Sequence, residues 1–270
     1  MAPQQLASAV VATTSPYTGP PVDSVPDVIK RLEEIQSYAE AHEARGQHDG
    51  VACFTYLYHR ITTRVLEGIE SGRFDDGEFV NLLDVVFANR YLAALRASVL
   101  SPGDVPDAWQ VLFERRAHPH ITRLQFAAAG VNAHVNFDLA VAVADTCTQL
   151  GSAPAIGAKH QSYQEINKIF AEEMQSLREH FESTWERLID QIVLGRVVNK
   201  MDDWIVVATR DVAWEAAEHL WNLRQPGKDE ASFVARIDGL AGEAGPPLRR
   251  ELPERAARIE VVDQRFVSGS

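Results

Sequence analysis

A chain of 270 residues sits at the upper end of what one hydrophobic core supports, and an apolar share of 46% supplies enough surface for that core. The formal charge of −12 disfavours nucleic acid and anionic membrane surfaces as partners, because neutralising phosphates takes clustered Lys and Arg. No mid-chain stretch rich in Pro, Gly and Ser divides the sequence, so a single domain is expected.

Residues 1–22 contain no Lys or Arg and lack the charged start of a signal peptide, so they read as a disordered lead-in to one domain over 23–270. Helical spacing dominates from Pro26 onward, and strict alternation is hard to find. The first helix opens near Ser24 and Pro26 and repeats Val28, Ile29, Leu32, Ile35 and Ala39 at intervals of three and four, until Gly46 to Gly50 breaks it. The second, over 51–71, places Phe54, Tyr58, Ile61, Val65 and Ile69 on one stripe and Arg60, Arg64 and Glu67 opposite. The third, over 77–100, carries Val80, Phe87, Tyr91, Ala94 and Leu95 and stops at Ser101-Pro102-Gly103; Asp75-Asp76 reads as its N-terminal cap. A short helix over 106–115 is anchored by Trp109 and Phe113.

The longest apolar pattern runs over 121–147 and is apolar around its whole circumference, which predicts a central helix surrounded by others. Part of it, Phe126 to Ala144, approaches the length of a membrane span, but Asn132, His134, Asn136 and Asp138 make insertion costly. A loop over 151–158, a long helix over 159–194, another over 202–223, and two lesser helices separated by Gly245-Pro246-Pro247 complete the chain. The expected architecture is an all-α, single-domain helical bundle around a buried central helix. Cys53 and Cys147 are not in a Cys-x-x-Cys arrangement and read as buried free thiols of a reducing compartment, the cytoplasm.

Polar residues on faces that should be dry carry the functional reading. His134 and Asp138 are four apart and Asp145 lies seven further on, which puts all three on one stripe of the central helix; Asn132 and Asn136 share a different one. Asp84 interrupts the apolar stripe of the third helix, and His59 stands at the margin of the second helix beside Thr62 and Leu66. A buried carboxylate without a partner costs several kcal/mol, so these groups need each other, a metal, a ligand or water. Mixed imidazole and carboxylate ligands from His59, Asp84, His134 and Asp138 would suit zinc, iron or manganese in a bundle core. The alternative is a purely structural network of hydrogen bonds and ion pairs, with Arg210 entering from the Asp203, Val207, Arg210, Trp214 stripe. Tyr58, Asn132, Asn136, Tyr163, Asn167 and Arg210 complete the expected pocket. His118 and His120 flank a proline ahead of the central helix, within reach of a pocket mouth, while His180 and His219 read as surface residues and the tryptophans as core. There is no Gly-x-Ser-x-Gly elbow, phosphate loop, dinucleotide glycine pattern, Glu-x-x-His, His-Glu-x-x-His or Asp-Asp-x-x-Asp run.

The segments Ile61-Thr62-Thr63-Arg64-Val65, Phe74-Asp75-Asp76, Val86-Phe87-Ala88-Asn89-Arg90-Tyr91 and Gly130 to Leu139 together resemble a bacterial family catalogued only as a domain of unknown function, numbered 5995. The likeness spans residues 26–223 and implies the one-domain helical fold but no activity. Three functional readings stand. The first is a metal-assisted hydrolase or lyase acting on a small molecule, in which His59, His134, Asp84 and Asp138 hold the ion and a bound water is activated. The second is a metal-free cyclase or isomerase of an apolar, terpenoid or polyketide-like substrate of secondary metabolism, with Asp84 or Asp138 as acid and His134 as base. The third is a ligand-binding or interaction protein whose polar cluster only sets helix register.

Overall fold

In a computed structural model the fold is described for residues 15–43, 47–173, 202–224 and 227–244, apart from the side chains of Leu124 and of residues 202–209. Every regular element among these residues is helical, as the periodicity predicts. Helix α1 (Val25–Ala41) begins where Ser24 accepts from the Asp27 amide, with Pro26 in its first turn, and buries Leu32, Ile35 and Ala39. Asp49 caps α2 (Gly50–Glu70) and Asp76 caps α3 (Gly77–Leu100), each side chain accepting from a first-turn amide. A 3-10 turn, Pro102–Asp104, leads to the short α4 (Asp107–Phe113).

The central helix has three parts. Thr122 and Gln125 form a capping box at the start of α5 (Arg123–Ala133), a π turn follows over His134–Asp138, and α6 (Leu139–Gln149) continues the axis. It packs against α2, α3 and α4 and against two later helices. The later helices are α8 (Asp202–Leu223) and α9 (Glu230–Ala244); between α6 and α8, helix α7 covers residues 159–173. Within the stretch Gln125–Gln149, long and apolar enough to cross a membrane, 78% of the most hydropathic window is buried inside the fold, the position of a core helix. The second half of the expected long helix, with His180 and Trp185, and the segment containing Gly245-Pro246-Pro247 fall outside the described residues, as do residues 1–14.

Residues 15–22 correct the expected lead-in. Tyr17 and Val22 are buried, the Arg116 guanidinium donates to the Tyr17 hydroxyl, and Val22 exchanges two hydrogen bonds with the Asn89 side chain. Apolar residues spaced irregularly around prolines give no periodic signal, yet they still bury surface once a groove exists to receive them.

The approach of α2 to α5 rests on Gly130. A Cβ there would lie 2.3 Å from the Phe54 ring, and Phe54 is wedged among Tyr58, Tyr91, Trp109 and His134. Gly130→Ala is expected to lower stability by about 1–3 kcal/mol, despite alanine's better helix propensity, because an overpacked core must shift. Urea unfolding checks this; an unchanged or higher midpoint would show that Phe54 is free to move.

A buried acid–base pocket

The π turn contributes both groups at the centre of the site. Its defining bond runs from the Leu139 amide to the His134 carbonyl, five residues back, and turns of this kind recur at functional sites. Asp138, 1% exposed, accepts from three donors: Trp109 Nε1 at 2.9 Å and Arg90 Nε at 3.1 Å, with His134 Nδ1 at 3.2 Å. A carboxylate already receiving two N–H groups accepts a third, which places the imidazole proton on Nδ1 and leaves the lone pair on Nε2. The ring is fixed from its faces too: Phe87 stacks at 3.5 Å and 7°, and Tyr58 meets it edge-on at 4.5 Å. Burial holds the His134 pKa below its usual value, Asp138 offsetting part of that, so the ring is neutral at pH 7.

His134 Nε2 is buried and has no partner among the described residues, and neither do the Tyr58 hydroxyl, the Thr62 hydroxyl and Asp84 Oδ2. Thr62 lies near enough to Tyr58 to favour its phenolate slightly, but no bond of good geometry joins them, and burial dominates by raising the Tyr58 pKa well above 10.0. His134, Tyr58 and Asp84 line one cavity of about 50 Å³ whose remaining wall is apolar apart from Arg210, including Leu83, Val131, Val135 and Ile166. Orphaned buried polar atoms are uncommon in folded proteins, and three around one cavity point to a guest that satisfies them. Asp84 is half-buried as a residue, but its Oδ2 is sealed from solvent and burial alone pushes its pKa up to about 7. Near neutral pH the site thus holds a partly protonated Asp84 carboxyl and an unprotonated imidazole.

The structure separates the residues expected in one group. Asp84 and His134 meet at the cavity, Asp138 stands behind His134 with its oxygens engaged, and His59 is half-buried and not among the lining residues. Among the described residues no three of His, Cys, Asp and Glu are gathered as metal ligands, so the four-ligand set of His59, Asp84, His134 and Asp138 is not assembled. The physical reason is that Asp138 faces donors, and Arg90, which also reaches Asp145 at 3.9 Å, already supplies its positive charge.

Of the wider pocket, Tyr58 and Arg210 line the cavity, but Asn132, Asn136, Tyr163 and Asn167 do not. Asn132 donates to the Ala241 carbonyl and accepts from Asn136, tying α9 to the central helix. Tyr163 donates to the Arg210 carbonyl, and Asn167 accepts from Arg210 Nε, so these two position Arg210. His118, His120 and His219 are exposed. Cys53 and Cys147 are free, and burial pushes their thiols up to about 12 and about 11, so neither is a thiolate nucleophile at neutral pH.

Two residues of the site were not expected there. Arg90 lies three positions after Phe87 on a face that turns inward, inside a segment that carries the family resemblance, and Trp109 was expected only as a core anchor. A single indole N–H finding a buried carboxylate leaves no periodic trace. The sequence model of a family of unknown function, DUF5995, matches residues 25–250. No curated protein and no solved structure matches the chain.

Proposed function

Because the chain belongs to the DUF5995 family, which brings no activity with it, we propose from the site alone that the protein is a metal-free proton-transfer enzyme of small molecules, an isomerase or cyclase with His134 as base and Asp84 as acid. The observation that carries this reading is the His134 ring, held through Nδ1 by Asp138 with its Nε2 buried and unpartnered, on a residue that lines the same cavity as Asp84. In such a step Nε2 takes a proton from a substrate carbon next to a carbonyl, while the Asp84 carboxyl donates one to the carbonyl oxygen. The enol that results then collapses with the proton returned at another position. The protonation states suit this division, since efficient general acids and bases titrate near the working pH.

The apolar wall suits a substrate, or a substrate segment, of few heavy atoms; a cavity of about 150 Å³ is the kind that takes benzene, and this one is about 50 Å³. Two unpaired thiols fit residence in a reducing compartment such as the cytoplasm.

The test is hydrogen–deuterium exchange. A panel of small ketones, aldehydes and 2-oxo acids is incubated with the protein in D₂O, and loss of the proton next to the carbonyl is followed by NMR. At least one compound should exchange at least about a hundredfold faster than in buffer, with His134→Gln slower by about 10²–10⁴ and Asp84→Asn also impaired. Exchange no faster than buffer for every compound, or a folded His134→Gln protein as active as the wild type, would sink the proposal.

A further inference from the structure

Arg210 presents a charge problem that the acid–base pair does not solve. Its side chain lines the cavity and the residue is 4% exposed, yet among the described residues no carboxylate stands within 4.0 Å of the guanidinium. The groups in contact with it are uncharged, and Asp211 acts on it without forming an ion pair. Nε donates to Asn167 Oδ1, the guanidinium lies over the Tyr163 ring at 4.7 Å, and the Tyr163 hydroxyl holds the Arg210 carbonyl at 2.6 Å. The two Nη groups donate to no described residue. Neighbouring Asp211 is engaged by Gln164, and Asp84, though it lines the same cavity, forms no ion pair with Arg210. Among the described residues this buried cation at the cavity wall has no counter-charge in contact with it, and an anionic guest would supply one.

We propose that this cavity binds small monocarboxylic acids with a short apolar chain, the carboxylate on the Arg210 fork and the chain against Leu83, Val131 and Val135. Two parallel N–H groups on a planar guanidinium match a carboxylate in two-point geometry and leave the chain to the apolar wall, whereas a phosphate would place further charge and polar oxygens against that wall. The proposal names the carboxylate end of the substrate of the acid–base site, the reacting carbonyl being carried on the chain and absent from propionate, which serves as an unreactive probe; it rests on that reading for the chemistry, but not for the binding. With the carboxylate on Arg210, the carbons of the chain lie in the space that His134 and Asp84 share.

Titration of the full chain with propionate, followed through the methyl resonances of Ile61, Val65 and Ile166, tests it. Saturable shifts are expected with propionate, at least tenfold weaker binding of propionamide and of inorganic phosphate, and at least tenfold weaker propionate binding by Arg210→Gln. Absence of saturable shifts with propionate overturns the proposal, and so does propionamide or phosphate binding as well as propionate. If Arg210→Gln does not fold, propionate against propionamide on the wild type decides alone. Propionate binding without exchange on any panel compound removes the acid–base reading and leaves this one standing; exchange on neutral ketones with no affinity for propionate does the reverse.

Discussion

Asp138→Ala will destabilise the protein by about 3–5 kcal/mol, the cost of removing one partner from a buried charge cluster. The substitution deprives three donors at once: Trp109 Nε1 in a residue with no exposure, His134 Nδ1, and Arg90 Nε. Arg90 keeps 23% of its side chain in contact with solvent and can turn partly outward toward Asp145, which pulls the expectation to the lower end of that range. Trp109 and His134 have no such escape. Asp138→Asn should fall between, because the amide retains one acceptor but opposes an N–H donor with its own NH₂. Urea unfolding of the three proteins at pH 7 provides the measurement, and an Asp138→Ala protein within 1 kcal/mol of the wild type would mean that the donors find other acceptors. Because Asp138 also orients the imidazole, exchange activity should fall in both variants even where the fold survives, which separates positioning from stability.

The second large effect is a pH dependence that Asp84 imposes. Its pKa is raised by burial from 3.8 to about 7. Below pH 3.8 the carboxyl is protonated in both folded and unfolded chains and makes no difference to stability. As pH rises toward 7 the unfolded chain releases the proton while the folded one retains it, so folding stability falls through this window and the penalty is complete above about 7. Three decades of pH at about 1.4 kcal/mol each give a penalty on the order of 4 kcal/mol at pH 8. Asp84→Asn, of the same shape and without the charge, should therefore gain several kcal/mol over the wild type at pH 8 and lose most of that advantage at pH 4. Parallel stability profiles for the two proteins would show that the carboxyl is solvated as an anion. Such a gain is what a carboxyl placed for proton transfer, as proposed, rather than for stability would give.

Much of the helical order was legible because it depends on local rules. The caps Ser24 and Asp76 and the three-and-four spacing of α2 and α3 act within a few residues of chain, and the structure places α2 and α3 within a residue of the expected bounds, while α1 ends at Ala41, ahead of the expected break at Gly46. The inward polar residues were legible for the opposite reason, as violations: Asp84, His134 and Asp138 stand where the pattern calls for Leu or Ala, and all three have buried polar atoms. Their grouping was not legible. Spacing along a helix says which face a residue occupies but not which neighbour that face meets, so His59 was grouped with groups it does not join, and Asn132 and Asn136 were placed in a pocket when Asn132 ties the central helix to α9 and Asn136 donates to Asn132. The π turn, which inserts its wider spacing within an uninterrupted apolar pattern, was likewise invisible.

The amino-acid order by itself therefore determined the helices, the buried central one, and the identity of the residues that break the dry faces. Only the tertiary structure decided who answers whom: Arg90 and Trp109 take Asp138, Asp138 takes one nitrogen of His134, and the other nitrogen is left without a partner in a residue that lines a cavity with Asp84 and Arg210. Periodicity is a property of one helix, whereas pairing a buried charge is a property of the space between several, and that space exists only after the helices have packed.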